Sequence, residues 1–298
     1  MFKKVLLFLT AACIVTFMPD ASGDTSAPAR QQPAAASSDQ TAAARTIFVA
    51  ILNADTVTLE QLLDPEFVKM LQAEGLTKHD FLWRCKIVPG KMSKQMQLPP
   101  EDTVKFALAL YDGNAQVIWD LMQEDEKKAL IEKYGNTENA MKIVAQHLPE
   151  EKNAIAGELQ KNMVLRNGRW YFAPDKPQDV IRKIKDFKNT VARQSSKEET
   201  AESFFRAVAD GNIYLFWQLC SPENKQMSIA ATGSESKALE ELAANLIADD
   251  DVKAALENPE QKKLLLQHAV QTADRNEAWV HIDGKWYLDF RAFAKQSK

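Results

Sequence analysis

The chain is poor in the residues that most often build catalytic and metal sites. Its 298 residues include only 3 cysteines, 4 histidines and 10 glycines. The signatures G-x-S-x-G, G-x-x-x-x-G-K-[ST] and G-x-G-x-x-G are all missing, which argues against a serine hydrolase, a phosphate-loop enzyme and a dinucleotide enzyme. His79, His147 and His268 have no metal-ligand spacing with one another or with cysteine. The sequence therefore predicts no catalytic residue, no metal ligand and no cofactor.

A large excess of positive charge is missing as well. The chain carries 37 basic and 41 acidic residues, a formal net charge of −4. Because proteins that bind nucleic acid concentrate basic residues on one surface, we expect no nucleic-acid partner. Apolar residues make up 45% of the chain, which is enough for two or three packed units.

The longest apolar run stands at the start of the chain, in "MFKKVLLFLTAACIVTFMPDASGDT". Lys3 and Lys4 precede apolar residues 5–18, a run too short to span a bilayer comfortably. The small residues at 21–23 suit a signal peptidase. We therefore expect an exported protein, periplasmic or extracellular, whose mature chain begins at Asp24 and has no transmembrane span.

Cys13 supports an alternative at this terminus, because "LTAAC" looks like the lipidation site of a bacterial lipoprotein. Thr10, in place of the usual leucine, and the apolar "IVTFM" after the cysteine weigh against it. After cleavage only Cys85 and Cys220 remain. Two cysteines without a dense framework are more often buried thiols than a disulfide, so we expect them to be unpaired.

Two stretches of the chain resemble each other, "VKFALALYDGNAQVIWDLM" at 104–122 and "AESFFRAVADGNIYLFWQLC" at 201–220. Aligning their Asp-Gly-Asn triplets brings Phe106 onto Phe204 and Trp119 onto Trp217. A hairpin signal follows each stretch, with Asn-Gly in "MVLRNGRWYFAP" and Asp-Gly in "EAWVHIDGKWYLDF". Because both landmarks recur in the same order, the sequence predicts a tandem duplication. "FVAILNAD", at residues 48–55, resembles the two stretches more weakly and suggests a third, degenerate copy of the opening helix.

The expected fold is helix-rich α+β, with two related units that each contain several helices followed by a β-hairpin, after a small N-terminal helical unit. A leader rich in Ala, Ser, Gln and Pro cannot bury enough surface to order itself, and Pro99-Pro100 cannot continue a helix. The predicted segments are a signal peptide at 1–23, a disordered linker at 24–45, the small helical unit at 46–98, a first α+β repeat at 99–176, a connecting helix at 177–196 and a second α+β repeat at 197–298.

The landmarks of each unit resemble those of the nuclear-transport-factor-2-like, cystatin-like superfamily. They are Phe106, Asp112-Gly113, Trp119 and "GRWY" at 168–171 in one unit, and Phe204, Asp210-Gly211, Trp217 and "GKWY" at 284–287 in the other. The resemblance implies a curved sheet of several strands, although the middle of each unit here reads as helical, as in a reduced relative. The superfamily includes binding and scaffold modules as well as isomerases, dehydratases and hydrolases, and no catalytic residue carries over to this chain.

Three local features suggest sites, and each has a structural interpretation beside the functional one. A hairpin turning at 283–284 places His281 opposite Trp286; we expect a partly buried histidine bonded to backbone rather than a catalytic base. The paired tryptophans of the two units are expected in the core rather than around a ligand. The run Asp249-Asp250-Asp251 lacks calcium-loop spacing and is expected to cap a helix that begins near Val252.

The segment "PQDVIRKIKDFKNTVARQ" is the strongest candidate for a contact surface. One helical face carries an apolar stripe, and the other is basic. A connecting helix that packs its apolar stripe against both units is the simpler interpretation; binding of an acidic partner, at a surface between the units, is the functional one. The stripe comprises Val180, Ile181, Ile184, Phe187 and Val191, and the predicted binding residues are Arg182, Lys183, Lys185, Lys188 and, in the hairpin, His281.

Together these features predict an exported, non-catalytic binding or scaffold module of the bacterial cell envelope, whose partner is an envelope protein or a small ligand. The alternative is a small-molecule enzyme of the isomerase, dehydratase or hydrolase type, with a cavity in one repeat. Polar side chains of perturbed acidity inside a closed pocket would favour the enzyme.

Overall fold

A computed structural model describes residues 38–246 and 249–294. The predicted signal peptide, Cys13 and most of the predicted linker lie outside the described residues. The chain divides into two compact units, which meet in sequence between Ile181 and Arg182. Each unit is mainly helical and contains one two-stranded antiparallel hairpin, which confirms the helix-rich α+β class. No helix in the described ranges is long and apolar enough to cross a membrane.

The first unit is a series of helices that ends in a hairpin. Its elements are α1 (Ser38–Leu52), α2 (Thr56–Leu62), α3 (Pro65–Ala73), α4 (Lys78–Met96), α5 (Pro100–Asp112), α6 (Ala115–Leu121), α7 (Glu124–Tyr134), α8 (Thr137–Lys161), β1 (Met163–Arg166) and β2 (Arg169–Phe172). Helix α9 (Pro177–Asn189) then crosses the boundary between the units.

The second unit is also a series of helices, with a hairpin and a short helix near its end. Its elements are α10 (Lys197–Asp210), α11 (Ile213–Leu219), α12 (Pro222–Thr232), α13 (Glu235–Asn245), α14 (Asp250–Glu257), α15 (Pro259–Arg275), β3 (Trp279–Ile282), β4 (Lys285–Leu288) and α16 (Phe290–Ala294). Asp249 caps α14 by accepting from the N–H groups of Asp251 and Val252, as the sequence predicted.

One local pattern occurs three times in the described part of the chain: a helix ends at a residue of positive φ, and a side chain then caps a helix of 7 residues. The caps are Asp55, Asn114 and Asn212, each preceded by a residue of positive φ. Each cap also donates its backbone N–H to an alanine carbonyl of the preceding helix, over 2.8, 2.7 and 2.8 Å. The recurrence arises because a positive φ ends one helix while an Asn or Asp oxygen starts the next.

Both hairpins turn where the sequence predicted. Asn167 and Gly168 have φ of 50° and 76°, and Asp283 and Gly284 have φ of 50° and 77°, as a type I′ turn requires. The strands pair residue for residue from Met163 with Phe172 and from Trp279 with Leu288.

The outer edge of each hairpin bonds to the start of a helix in its own unit. Asp64 donates its backbone N–H to the carbonyl oxygen of Phe172 over 2.8 Å, and Ser221 donates to that of Leu288 over 3.2 Å. Asp64 and Ser221 are the N-caps of α3 and α12. The first hairpin is therefore held by residues that precede the predicted first repeat.

The core of the first unit contains helices from both sides of Pro99. Phe48 of α1 stacks on Tyr111 of α5 with ring centroids 5.1 Å apart, and Phe81 of α4 lies 6.1 Å from Phe172 of β2. Helix α1 begins at Ser38, inside the segment predicted as linker, and its Ala44 is fully buried. Pro99-Pro100 therefore separates two helices and is not a boundary between units, since both helices belong to one compact unit.

Candidate functional site

The second unit contains an apolar cavity of about 400 Å³ between α10, α15 and the hairpin. Phe204 and Phe205 of α10 form one wall, and Leu265, Ala269 and Ala273 of α15 form the opposite wall. The hairpin side chains Trp279 and Leu288 and, from α16, Phe290 close the end. This volume lies within the range of small-molecule pockets, which are mostly apolar.

Helix α15 presents small side chains to the cavity, whereas α8, the helix that precedes the hairpin of the first unit, presents large ones to its core. Ala273 and Ala269 lie two and six residues before the end of α15; Leu159 and Ile155 lie at the same distances from the end of α8. Leu159 and Ile155 are both 3% exposed and fill the first core. Since interiors pack densely, the smaller alanines leave space unless another group fills it.

The polar groups of the cavity are few. His268 and Thr272 of α15 belong to the lining, and His268 is exposed to solvent. The indole nitrogen of Trp279 is buried and has no hydrogen-bond partner among the described residues. A buried donor without an acceptor costs about 1–3 kcal/mol, so this atom is a weak point of the packing.

A charged cluster lies on α10 and α15, one turn before Leu265. Glu202 contacts Lys262 at 2.9 Å and Arg206 at 2.6 Å. The hydrogen bond from Lys262 lowers the pKa of Glu202 below its ordinary value, and Arg206 contributes in the same direction. Glu202 is thus shared by two basic side chains, and none of the three residues lines the apolar cavity.

A second cavity of about 530 Å³ lies on another side of Phe290, among α11, α12, α13 and α16. Phe290 lines both cavities. Its ring stacks on Phe216 with centroids 5.1 Å apart and planes 16° apart, and lies 6.1 Å from Phe204. One side chain of α16 therefore separates the two cavities.

An arginine on α16 fixes the position of this helix. Arg291 bonds to Glu223 of α12 at 2.7 Å and to Asp289 at 2.5 Å. The same contact holds the pKa of Asp289 below its ordinary value, chiefly because the guanidinium donates hydrogen bonds to the carboxylate. Two carboxylates thus restrain α16 beside the cavities.

Cys220 is a lining residue of the second cavity, but it is not a nucleophile at neutral pH. Burial raises the pKa of its thiol to about 12, and only the thiolate is reactive. Cys85 and Cys220 are both buried and form no disulfide, as the sequence predicted.

The predicted basic helix is present as α9 and ends at Asn189, earlier than the predicted 196. Val180, Ile181 and Ile184 are at most 3% exposed, whereas Val191 lies beyond the helix and is 78% exposed. Four of the five stripe residues therefore lie within the helix, and Val191 is not part of its buried face.

The lysines of α9 interact with aromatic rings. The Nζ atom of Lys183 lies 6.0 Å from the ring centre of Phe187, and that of Lys188 lies 5.5 Å from the ring centre of Tyr214. Arg182 and Lys188 are exposed, and Lys183 and Lys185 are half-buried. The role of these four residues in binding stays a prediction.

His281 is exposed, so the expectation of a partly buried histidine bonded to backbone was wrong. It pairs with Trp286 as predicted, and the two ring centroids are 4.6 Å apart. The backbone of Trp286 bonds instead to Gln194, which accepts from its N–H and donates to its oxygen, both over 2.8 Å. His281 does not line either cavity.

The expectation of core tryptophans holds for only one of the four paired positions. Trp119 is 8% exposed. Trp170, Trp217 and Trp286 are half-buried, and Trp217 lines the second cavity.

Sequence reasoning missed the residues that define the apolar cavity. Ala269 and Ala273 are small residues in an ordinary amphipathic helix, and no motif distinguishes them. A difference in side-chain size could have indicated them: Ala269 and Ala273 stand at the same distances from the end of α15 as Ile155 and Leu159 from the end of α8. This difference becomes visible only once the ends of the two helices are known.

No group of three or more His, Cys, Asp or Glu residues that could hold a metal ion occurs within 38–246 and 249–294. Comparison with protein-family models, curated proteins and solved structures found no match to this chain. The site must therefore be interpreted from its own chemistry.

Proposed function

We propose that this protein is an exported, non-catalytic binding module of the bacterial cell envelope, and that its second unit binds a small apolar ligand. The observation that carries the proposal is the open cavity between α10 and α15. Half-buried aromatic side chains face this cavity, and burying them against a ligand is favourable by about 25 cal/mol per Å² of apolar surface.

The composition of the lining favours binding over the enzyme alternative. General acid–base catalysis needs a titratable group in contact with the substrate, and nucleophilic catalysis needs an activated nucleophile. The cavity lining offers His268 alone, on its exposed side, and neither aspartate nor glutamate. An apolar surface with one exposed imidazole suits recognition by shape and burial.

The proposed site can be tested with an uncharged dye, phenyl-naphthylamine, whose fluorescence rises in apolar surroundings. Ala269→Leu fills the cavity, and we expect it to weaken dye binding at least about tenfold, since the added carbons occupy the ligand's space. Gln267→Leu adds the same side chain at an exposed position of α15 and should bind dye like the wild type. Equal binding by all three proteins would refute the site.

The enzyme alternative has its own outcome. If the purified protein converts a small molecule and His268→Ala or His281→Ala abolishes that conversion while dye binding persists, the non-catalytic proposal is wrong.

We further propose that the two units arose by tandem duplication of a reduced nuclear-transport-factor-2-like ancestor. The recurring caps and the matching hairpin attachments at Asp64 and Ser221 support a shared origin. In this proposal, α1–α2 is the helix pair of the first unit that corresponds to α10–α11 of the second, because each pair leads to the helix start that bonds to the hairpin. The pair α5–α6 is then an additional copy. Both sheets in the described residues have two strands, fewer than the superfamily's curved sheet.

A macromolecular partner would use a different surface. The basic side of α9, with Arg182, Lys183, Lys185 and Lys188, remains the proposed contact for an acidic envelope protein, whose binding should weaken with salt.

A further inference from the structure

The cavity between α10 and α15 has the size of a small-molecule site. Its volume of about 400 Å³ lies near the lower end of the range of such pockets. A small molecule, or one substituent of a larger one, fits this space.

The lining residues show that the cavity is elongated. On α15 they run from Leu265 to Ala273, a rise of about 12 Å along the helix axis. Ala269 lies midway and supplies little bulk, while Phe204 and Phe205 form a wall opposite. An apolar space that follows α15 over this length can take up an extended hydrocarbon chain.

The polar groups indicate how such a chain would be oriented. Neither an acidic nor a basic side chain other than the exposed His268 lines the cavity. An ionised group buried here would lack a partner, at a cost of several kcal/mol. A charged head group would consequently stay in solvent beside His268.

From this geometry we propose that the cavity binds the hydrocarbon chain of a single-chain amphiphile, a fatty acid or the acyl chain of a lipid. The chain lies between the alanines of α15 and the phenylalanines of α10, and the head group stays at the mouth. This proposal rests on the proposed function and specifies its ligand.

Competition with the bound dye tests the ligand class. Octanoic, decanoic and dodecanoic acids should displace phenyl-naphthylamine from the full-length protein, each methylene tightening binding about fourfold until the chain exceeds the cavity. Ala269→Leu, or Thr272→Leu if the first variant fails to fold, should abolish this dependence on chain length, and Gln267→Leu should retain it. A lysophospholipid of equal chain length separates the two sources: its binding assigns a lipid acyl chain, and binding of the acid alone assigns a free fatty acid.

Two results would overturn the proposal, and they differ in what they imply for the function. If the dye binds and Ala269→Leu blocks it, but naphthol displaces the dye while the acids do not, the ligand is a ring compound and the binding function stands. If the dye itself does not bind, both the ligand class and the function proposed for this cavity are wrong.

Discussion

Replacing Asn212 with alanine should destabilise the second unit more than the equivalent change at Asn114 destabilises the first. Asn212 is 2% exposed, and its Oδ1 accepts from the backbone N–H groups of Tyr214 and Leu215 over 3.1 Å each. Its Nδ2 donates to the carbonyl oxygen of Phe187 over 3.2 Å. The exposed Asn114 caps α6 through one bond, to Val117 over 3.2 Å.

The expected magnitudes follow from what can replace the lost oxygen. Loss of an N-cap side chain costs about 1 kcal/mol. At Asn114, water can reach the exposed N–H groups, so Asn114→Ala should cost about this much. At Asn212 the second N–H group belongs to the buried Leu215, and leaving this buried donor unsatisfied adds about 1–2 kcal/mol. We therefore expect Asn212→Ala to cost about 2–3 kcal/mol.

Hydrogen exchange read by mass spectrometry on peptides from each unit suits this comparison, because the two units can open separately. Asn212→Ser is a useful intermediate, since it keeps a neutral capping oxygen and loses the amide donor to Phe187. Equal losses of protection for Asn114→Ala and Asn212→Ala would refute the argument from burial, and a full loss in Asn212→Ser would assign the effect to the Phe187 bond.

Three further outcomes are expected. Gly168→Val should lower the stability of the first unit in urea by about 1–2 kcal/mol. The cause is backbone strain at a φ of +76° and not a steric clash, because a Cβ at this position meets nothing within 4 Å. Asn167→Gly is the control, and unchanged stability of Gly168→Val would contradict the turn assignment. Arg291 depresses the pKa of Asp289, so the ion pair contributes to the free energy of unfolding above the ordinary pKa of about 3.9, and this contribution is lost as pH falls through the lowered pKa. Asp289→Asn should therefore reduce the loss of stability in acid, measured by circular dichroism. A titration curve identical to that of the wild type would contradict this expectation. Charge reversal at three lysines of α9, Lys183, Lys185 and Lys188, should reduce capture of an acidic envelope partner with little change in melting temperature. Unaffected capture would mean that α9 acts only as a connector.

The turns and caps of this protein could be predicted from sequence because they depend on neighbouring residues. Asn167-Gly168 and Asp283-Gly284 have the backbone freedom that a two-residue hairpin needs. Helix α10 begins at the predicted start of the second repeat and ends at the Asp-Gly-Asn triplet, since acidic residues in its first turn favour its start and Gly211 stops it.

The grouping of helices and the position of the cavity depended on contacts between distant residues. Pro99-Pro100 interrupts the backbone, but the packing of Phe48 on Tyr111 and of Phe81 near Phe172 places both sides of that break in one core. His281 was expected to be partly buried because its strand partner is a tryptophan. Strand pairing fixes which residue lies opposite, whereas exposure depends on whether another element covers that face.

The sequence by itself thus determined the hairpin turns and the stop of α10 at Gly211, which follow from local conformational preference. Only the tertiary structure decided that Ala269 and Ala273 border a cavity while Ile155 and Leu159 lie in a filled core. The physical reason is that a cavity is a deficit of volume between facing side chains, and the sequence of one helix does not state the size of the residues that another helix brings against it.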